Sequence, residues 1–72
     1  MSEHLTTVTE WQVRGMTCGH CVASVTEELT ELPGVEQVDV ELETGRVTVT
    51  SATELQRADV EAAVSEAGYS LV

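Results

Sequence analysis

Hydrophobic residues follow two different periods in the first half of the chain. Residues 7–14 alternate between polar and inward-facing positions, as in a half-buried β-strand. The inward positions are Thr9, Trp11 and Val13. Apolar residues then recur three, four and three positions apart, at Val22, Val25, Leu29 and Leu32. This spacing predicts an α-helix from Gly19 to about Leu32, which Pro33 and Gly34 would end.

The alternating period returns after Gly34 and predicts a β-hairpin. Residues 35–42 place Val38, Val40 and Leu42 on the inner side, and residues 46–50 place Val47 and Val49 there. Between these runs, the turn at residues 43–46 contains a glycine, which can adopt a positive φ.

A second helix and a final strand complete the pattern. Residues 51–56 are predicted to form a loop, and a helix follows from about Arg57 to Ala67. Its apolar face contains Val60, Ala63, Val64 and Ala67. Thr53 and Asp59 are both candidates for the start of this helix. Gly68 would end it, and residues 69–72 would form a short strand.

The resulting order is strand, helix, strand, strand, helix, strand. Two βαβ halves of this kind predict an α+β, ferredoxin-like sandwich, with a four-stranded antiparallel sheet and both helices on one face. With 72 residues, the chain is expected to form a single domain, residues 1–72, too small for a large enclosed active site. The first six residues are predicted to be flexible.

Charge and hydropathy exclude several classes of partner. The chain has thirteen acidic residues and three arginines. The resulting net charge of −10 disfavours binding to nucleic acid or anionic membranes. The acidic excess is interpreted as favouring solubility, with steering toward a basic partner as the alternative. No stretch approaches the roughly 18 apolar residues of a membrane span, and no signal peptide is evident. A cytoplasmic protein with reduced thiols is therefore expected.

Both cysteines lie where the first strand leads into the first helix. Cys18 falls in the loop and Cys21 in the first helical turn, so their sulfurs are expected to converge at one exposed point. The N–H groups and partial positive charge of a helix N-terminus favour thiolates, which bind metals. Two thiolates are too few for structural zinc but suit Cu(I). Such an open site would allow a partner's thiols to approach the metal.

The stretch G-M-T-C-G-H-C at residues 15–21 resembles the G-M-x-C-x-x-C pattern of the heavy-metal-associated domain family. The resemblance continues through the later apolar positions and Gly68-Tyr69. It implies a ferredoxin-like fold that binds one Cu(I) per monomer through Cys18 and Cys21. It further implies a copper chaperone, not an enzyme, that delivers copper to a copper-transporting P-type ATPase by thiolate exchange. Tyr69 matches the residue common in bacterial copper chaperones.

Three further residues are candidates for supporting the site. Met16 is interpreted as a buried plug beneath the loop rather than a copper ligand. His20 is expected to face solvent and to tune the site, with ligation in a copper-sharing homodimer left open. For Tyr69 two roles stay open, a core aromatic and a hydroxyl that shields the sulfurs.

Alternative functions use the same cysteine pair. In a thiol–disulfide oxidoreductase, Cys18 would attack and Cys21 would resolve. The strand order argues against this function, as does the absence of a late proline, since Pro33 is the only one. The chain could also be a domain detached from a heavy-metal ATPase or a mercuric reductase. Ag(I), Hg(II), Cd(II) and Zn(II) also accept two thiolates, so the pattern alone does not select Cu(I).

Overall fold

A computed structural model describes residues 6–72 and shows the predicted order of elements. The strands and helices are β1 (Thr7–Arg14), α1 (Gly19–Thr30), β2 (Val35–Glu41), β3 (Arg46–Ser51), α2 (Arg57–Glu66) and β4 (Ser70–Leu71). The predicted flexible segment, residues 1–6, falls outside the described residues except for Thr6. No helix in residues 6–72 is long and apolar enough to cross a membrane.

The strands form one antiparallel sheet in the order β2-β3-β1-β4. Strand β3 pairs along its length with β1, from Thr7 opposite Ser51 to Gln12 opposite Arg46. Strand β4 adds only two residue pairs to the other edge of β1. The two helices contact each other, with α1 against β2 and α2 against β4. The predicted ferredoxin-like sandwich is confirmed.

The core lies between the sheet and the helices and consists mainly of valine. Its fully buried apolar residues are Val25, Leu29, Val47, Val49, Val60 and Val64. Each side chain of this size stabilises the fold by about 1.5–3 kcal/mol when it leaves water. These positions match the predicted inner faces, except that the buried stripe of α1 begins at Cys21 while Val22 is only half-buried.

One predicted position is wrong, and one of the two candidates for the start of α2 is excluded. Leu42 was expected to face inward, but it is 37% exposed because β2 ends at Glu41 and the chain turns there. The Gly45 N–H donates to the Glu41 carbonyl at 2.9 Å and closes this turn. Thr53 does not begin α2, since Gln56 is its N-cap residue and makes no side-chain cap bond. Asp59 lies within the first turn of α2 instead.

Most helices and strands end close to the residues predicted from the sequence. Helix α1 ends at Thr30 rather than Leu32, although the Leu32 N–H still donates to the Leu29 carbonyl at 3.1 Å. Helix α2 ends at Glu66, one residue before the predicted end. Strand β4 is shorter than the predicted four residues, but the Val72 N–H donates to the Gln12 carbonyl at 2.8 Å and continues the pairing.

Three connections meet at one end of the sheet, where β1 leads into α1. The Val13 N–H donates to the Gly45 carbonyl at 2.8 Å, which ties the hairpin turn to the end of β1. On the other side of β1, Arg14 pairs with Ser70, just after the link from α2 to β4. The loop that carries Cys18 therefore lies between the β2–β3 turn and the link from α2 to β4.

Candidate metal centre

The backbone at the start of α1 brings the two cysteines together. Cys18 is the N-cap residue and has an extended backbone, with φ −156° and ψ 173°. Its carbonyl accepts hydrogen bonds from the N–H groups of Cys21 at 3.0 Å and Val22 at 3.4 Å. The chain therefore curls into the helix within one turn, and both cysteine side chains lie at its N-terminal end.

The sulfurs of Cys18 and Cys21 are 3.4 Å apart. Both residues are free thiols, but their environments differ: Cys18 is exposed, whereas Cys21 is only 5% exposed. Cys21 shares the inner face of α1 with Val25 and Leu29, since residues four apart lie on one side of a helix. The prediction of a single exposed point is therefore wrong for Cys21, although the two sulfurs do converge.

The surroundings of Cys21 favour its thiolate. The pKa of Cys21 is lowered to about 6, chiefly by the hydrogen bond from the Tyr69 hydroxyl and next by the backbone N–H of Thr17. Burial acts in the opposite direction, and Cys18 contributes smaller lowering effects through its side chain and backbone. The Thr17 N–H lies 3.4 Å from the Cys21 sulfur. Neutral hydrogen-bond donors, rather than a neighbouring cation, thus stabilise this negative charge.

Of the two roles left open for Tyr69, the structure shows core packing, and the shielding of the sulfurs stays a prediction. Its half-buried ring packs against the hydrophobic core. Its hydroxyl interacts with the Cys21 sulfur, and the pKa of Tyr69 is raised by that hydrogen bond first, then by burial and by the charges of the two cysteines. The phenol therefore stays protonated at neutral pH and remains a donor to the thiolate.

Met16 and His20 occupy different environments. Met16 is half-buried and packs against the core, in agreement with the predicted plug beneath the loop. His20 is exposed in the first turn of α1. Within residues 6–72, no group of three or more histidine, cysteine or acidic residues is arranged to hold a metal ion. The site therefore offers two cysteine sulfurs, while metal ligation by Cys18, Cys21 or His20 stays a prediction.

Two contributions to the site were not identified from the sequence. Thr17 occupies the variable position of the motif, and it acts mainly through a backbone N–H that any residue except proline would supply. Gly15 has a φ of +102° and lies against Tyr69, where an added Cβ would be 3.3 Å from the ring atom Cδ1. The fixed glycine of the motif was the only sequence feature that pointed to this position.

Comparison with known proteins identifies the relatives of this chain. The family model "Heavy-metal-associated domain" matches residues 10–70. The copper chaperone CopZ of Bacillus subtilis is 42% identical over 59 residues, which cover 81% of this chain and 86% of CopZ. A solved structure of a CopZ metallochaperone superposes with a TM-score of 0.84 at 33% identity, covering 92% of this chain and 100% of that one.

Two metal-transporting ATPases contain a related segment. A zinc/cadmium/lead-transporting P-type ATPase of Shigella sonnei is 43% identical over 61 residues, covering 85% of this chain. Copper-transporting ATPase 1 of Rhizobium meliloti is 40% identical over 62 residues, covering 86% of it. The matched segment spans 8% of the length of each ATPase.

These relatives agree with a non-enzymatic, metal-binding role and do not favour an oxidoreductase. The match to the family model extends over most of the folded domain and includes the cysteine loop, both helices and the hairpin. The chain belongs to the heavy-metal-associated domain family.

Proposed function

We propose that this protein is a copper chaperone that holds one Cu(I) ion between Cys18 and Cys21. The observation that carries the proposal is the pair of sulfurs 3.4 Å apart, one of which has a pKa lowered to about 6. A thiolate present at neutral pH binds a soft metal without first losing a proton. The similarity to CopZ over most of both chains supports the same assignment.

The donor set favours Cu(I) over Zn(II). Zinc sites in proteins are usually tetrahedral with four ligands, or three protein ligands and a water. The described residues supply no third histidine, cysteine or carboxylate next to the two thiols. Cu(I) is a soft ion that accepts a site of two sulfurs. The relationship to a zinc/cadmium/lead-transporting ATPase therefore does not make zinc the preferred ion.

The unequal exposure of the two cysteines suits ligand exchange. An incoming thiolate from a partner can reach copper on the side of the exposed Cys18, while the buried Cys21 keeps its bond. The first incoming thiolate replaces Cys18, the partner's second thiolate then replaces Cys21, and copper leaves as Cu(I) with no change in oxidation state. We expect the partner to be a copper-transporting P-type ATPase, since such an ATPase contains a related segment. A cytoplasmic location and a copper-sharing homodimer stay predictions.

A Cu(I) competition titration tests this proposal. The parent, Cys18→Ser, Cys21→Ser and the double variant are titrated against a chelator of known affinity under anaerobic, reducing conditions. The expected result is one Cu(I) per parent molecule, with each single variant losing more than the roughly 100-fold typical of changes outside the ligand shell. Met16→Leu is the matched control, because it removes a nearby sulfur that packs in the core and should leave the affinity unchanged.

Two outcomes would contradict the proposal. If the double serine variant keeps Cu(I) as tightly as the parent, the cysteines are not the ligands. If excess Zn(II) displaces Cu(I) from the parent, the two-thiolate site does not have the expected selectivity. Transfer to the partner is tested separately, by mixing the copper-loaded protein with the corresponding segment of a copper-transporting ATPase and measuring copper in each after separation.

A further inference from the structure

Gly15 lies beside Tyr69 where the β1–β4 pairing ends. Arg14 pairs with Ser70, so one further step along the antiparallel register brings Gly15 level with Tyr69. A Cβ added at Gly15 would be 3.3 Å from Tyr69 Cδ1, closer than ordinary van der Waals contact between carbon atoms. The tyrosine ring therefore covers a position that has no side chain. Aromatic residues stabilise glycines on a neighbouring strand in this way.

The backbone at the end of α2 fixes the other side of this contact. Gly68 has a φ of +96°, and its N–H donates to the Ser65 carbonyl at 2.9 Å. The Tyr69 N–H donates to the Val64 carbonyl at 3.0 Å, so the chain reverses sharply after α2. Apart from the two residues next to it in the chain, an added Cβ at Gly68 would meet nothing within 4 Å.

We propose that Gly15 is a positioning residue for the metal site. Because Gly15 has no side chain, the Tyr69 ring can pack against it, and this contact holds the hydroxyl beside the Cys21 sulfur. This inference rests on the proposed function, in which Cys21 binds Cu(I). Gly15 acts through Tyr69 and does not contact the metal. The contact joins the loop before α1 to the segment after α2, so both halves of the fold determine the surroundings of one sulfur.

The proposal is tested with Gly15→Ala, Tyr69→Ala and the double variant. If the ring requires an empty position 15, Gly15→Ala displaces the ring and lowers the Cu(I) affinity about tenfold, at the low end of the 10–100-fold effects of groups around metal ligands. Tyr69→Ala lowers the affinity at least as much. In the double variant, the glycine substitution should cause a smaller loss than it causes alone, because only the backbone strain at a φ of +102° remains. If the two losses multiply instead, Gly15 acts independently of Tyr69 and the proposal is wrong.

A protein made by chemical synthesis with D-alanine at position 15 separates crowding from backbone strain. A D-residue adopts a positive φ readily and leaves the position next to Tyr69 Cδ1 empty. The D-alanine protein should keep the parent's Cu(I) affinity within about twofold, given that small changes away from special features have little effect. A loss equal to that of Gly15→Ala would contradict the proposal.

NMR of the metal-free protein examines the contact without copper and without relying on the folding of Gly15→Ala. In the parent, nuclear Overhauser effects should connect the Tyr69 ring protons with the Gly15 α protons. The ring current should also shift the Gly15 α protons, and Tyr69→Ala should abolish that shift. If the chemical shift of the Gly15 α protons is unchanged in Tyr69→Ala, the Tyr69 ring does not contact Gly15. If the parent binds no Cu(I), the proposed function fails, while the NMR result still decides the contact.

Discussion

Helices α1 and α2 begin with the same backbone arrangement but carry different groups at their third residue. Their N-cap residues, Cys18 and Gln56, are both extended, and neither makes a side-chain cap bond. The N-cap carbonyl accepts the N–H of the third helical residue at 3.0 Å in each helix. That residue is Cys21 in α1 and Asp59 in α2.

The difference shows how a helix start can become a metal site. The first turn of a helix stabilises negative charge, which α2 supplies with Asp59. Helix α1 has no acidic residue in its first turn, and the Cys21 thiolate takes the equivalent position. A carboxylate is a hard ligand, whereas a thiolate is soft and accepts Cu(I). Both helix starts therefore carry a negative charge at the same position, although the Cys21 thiolate is stabilised chiefly by Tyr69 and Thr17, which lie outside α1.

Replacing Cys21 with aspartate makes the two helix starts alike and should have the largest effect. Cys21→Asp keeps an anion at this position but removes the soft ligand, so Cu(I) affinity should fall more than 100-fold, or about 2.7 kcal/mol. The reciprocal variant Asp59→Cys should add no second Cu(I), since its N-cap residue is Gln56 rather than cysteine. Competition titrations and copper-to-protein ratios measure both effects. Affinity within tenfold of the parent in Cys21→Asp would show that charge alone holds the metal.

Core positions away from the cysteines should affect stability without affecting the metal site. Leu29 is fully buried, so Leu29→Ala should lower the free energy of unfolding of the metal-free protein by about 2–5 kcal/mol. Free Cu(I) at 100 times the dissociation constant should restore about 2.7 kcal/mol, because copper binds the folded state. Urea unfolding with and without copper measures this. Ala23→Ser, at an exposed position of α1, is the control. Absence of any copper-dependent recovery would contradict binding to the folded form.

The fold could be predicted because nearly every element has its own periodicity and a glycine or proline near its end. Positions such as Val47, Val49 and Val60 were assigned to the interior from spacing alone, and they are fully buried. The errors occur at ends, where tertiary hydrogen bonds decide. Leu42 continues an alternating pattern, but the bond from Gly45 to Glu41 turns the chain before it.

Less of the site was predictable, because its decisive contacts join distant parts of the chain. The spacing of Cys18 and Cys21 correctly indicated converging sulfurs. The burial of Cys21 does not follow from the sequence, because the apolar spacing places the start of the stripe at Val22, and one residue corresponds to about 100° of helix rotation. The position of the Tyr69 hydroxyl depends on β4 pairing with β1, which no local pattern specifies.

The charge on Cys21, in α1, should make the free energy of unfolding of the metal-free protein depend on pH. Its pKa of about 6 in the folded protein lies below the roughly 8.5 of a free cysteine, so the folded state binds its proton less readily. This stabilisation is therefore complete above about pH 8.5 and is lost as pH falls through 6. The difference in urea midpoint between the metal-free parent and Cys21→Ser should shrink from pH 9 to pH 5. A constant difference would contradict the lowered pKa.

Tyr69→Phe sharpens this measurement, since the Tyr69 hydroxyl is the largest cause of the lowered pKa. Without that donor the thiolate is less stable, and the midpoint for alkylation of Cys21 by iodoacetamide should move to higher pH. The comparison is made between Cys18→Ser and Cys18→Ser with Tyr69→Phe, so that only Cys21 reacts. An unchanged midpoint would show that the hydroxyl does not act on this sulfur.

The smallest effect is expected at α2, where a fixed charge fills the position that Cys21 holds in α1. Asp59→Asn should lower the free energy of unfolding by about 0.3–1 kcal/mol, because the helix N-terminus loses its anion. Removing any acid also reduces repulsion in a chain of net charge −10, so a control of equal charge change is needed. Glu66→Gln provides it at the last residue of α2.

The helix dipole predicts opposite signs for these two variants. A negative charge at the C-terminal end of a helix is unfavourable, so Glu66→Gln should stabilise the protein. Weaker charge repulsion on Glu28 adds to this stabilisation, since the pKa of Glu28 is raised by burial and then by the charges of Glu31 and Glu66. Both effects should decrease at 1 M salt, where screening shortens to about 3 Å. If both variants change the urea midpoint in the same direction, general repulsion outweighs the dipole. The likeness between Asp59 and the Cys21 thiolate would then be geometric only.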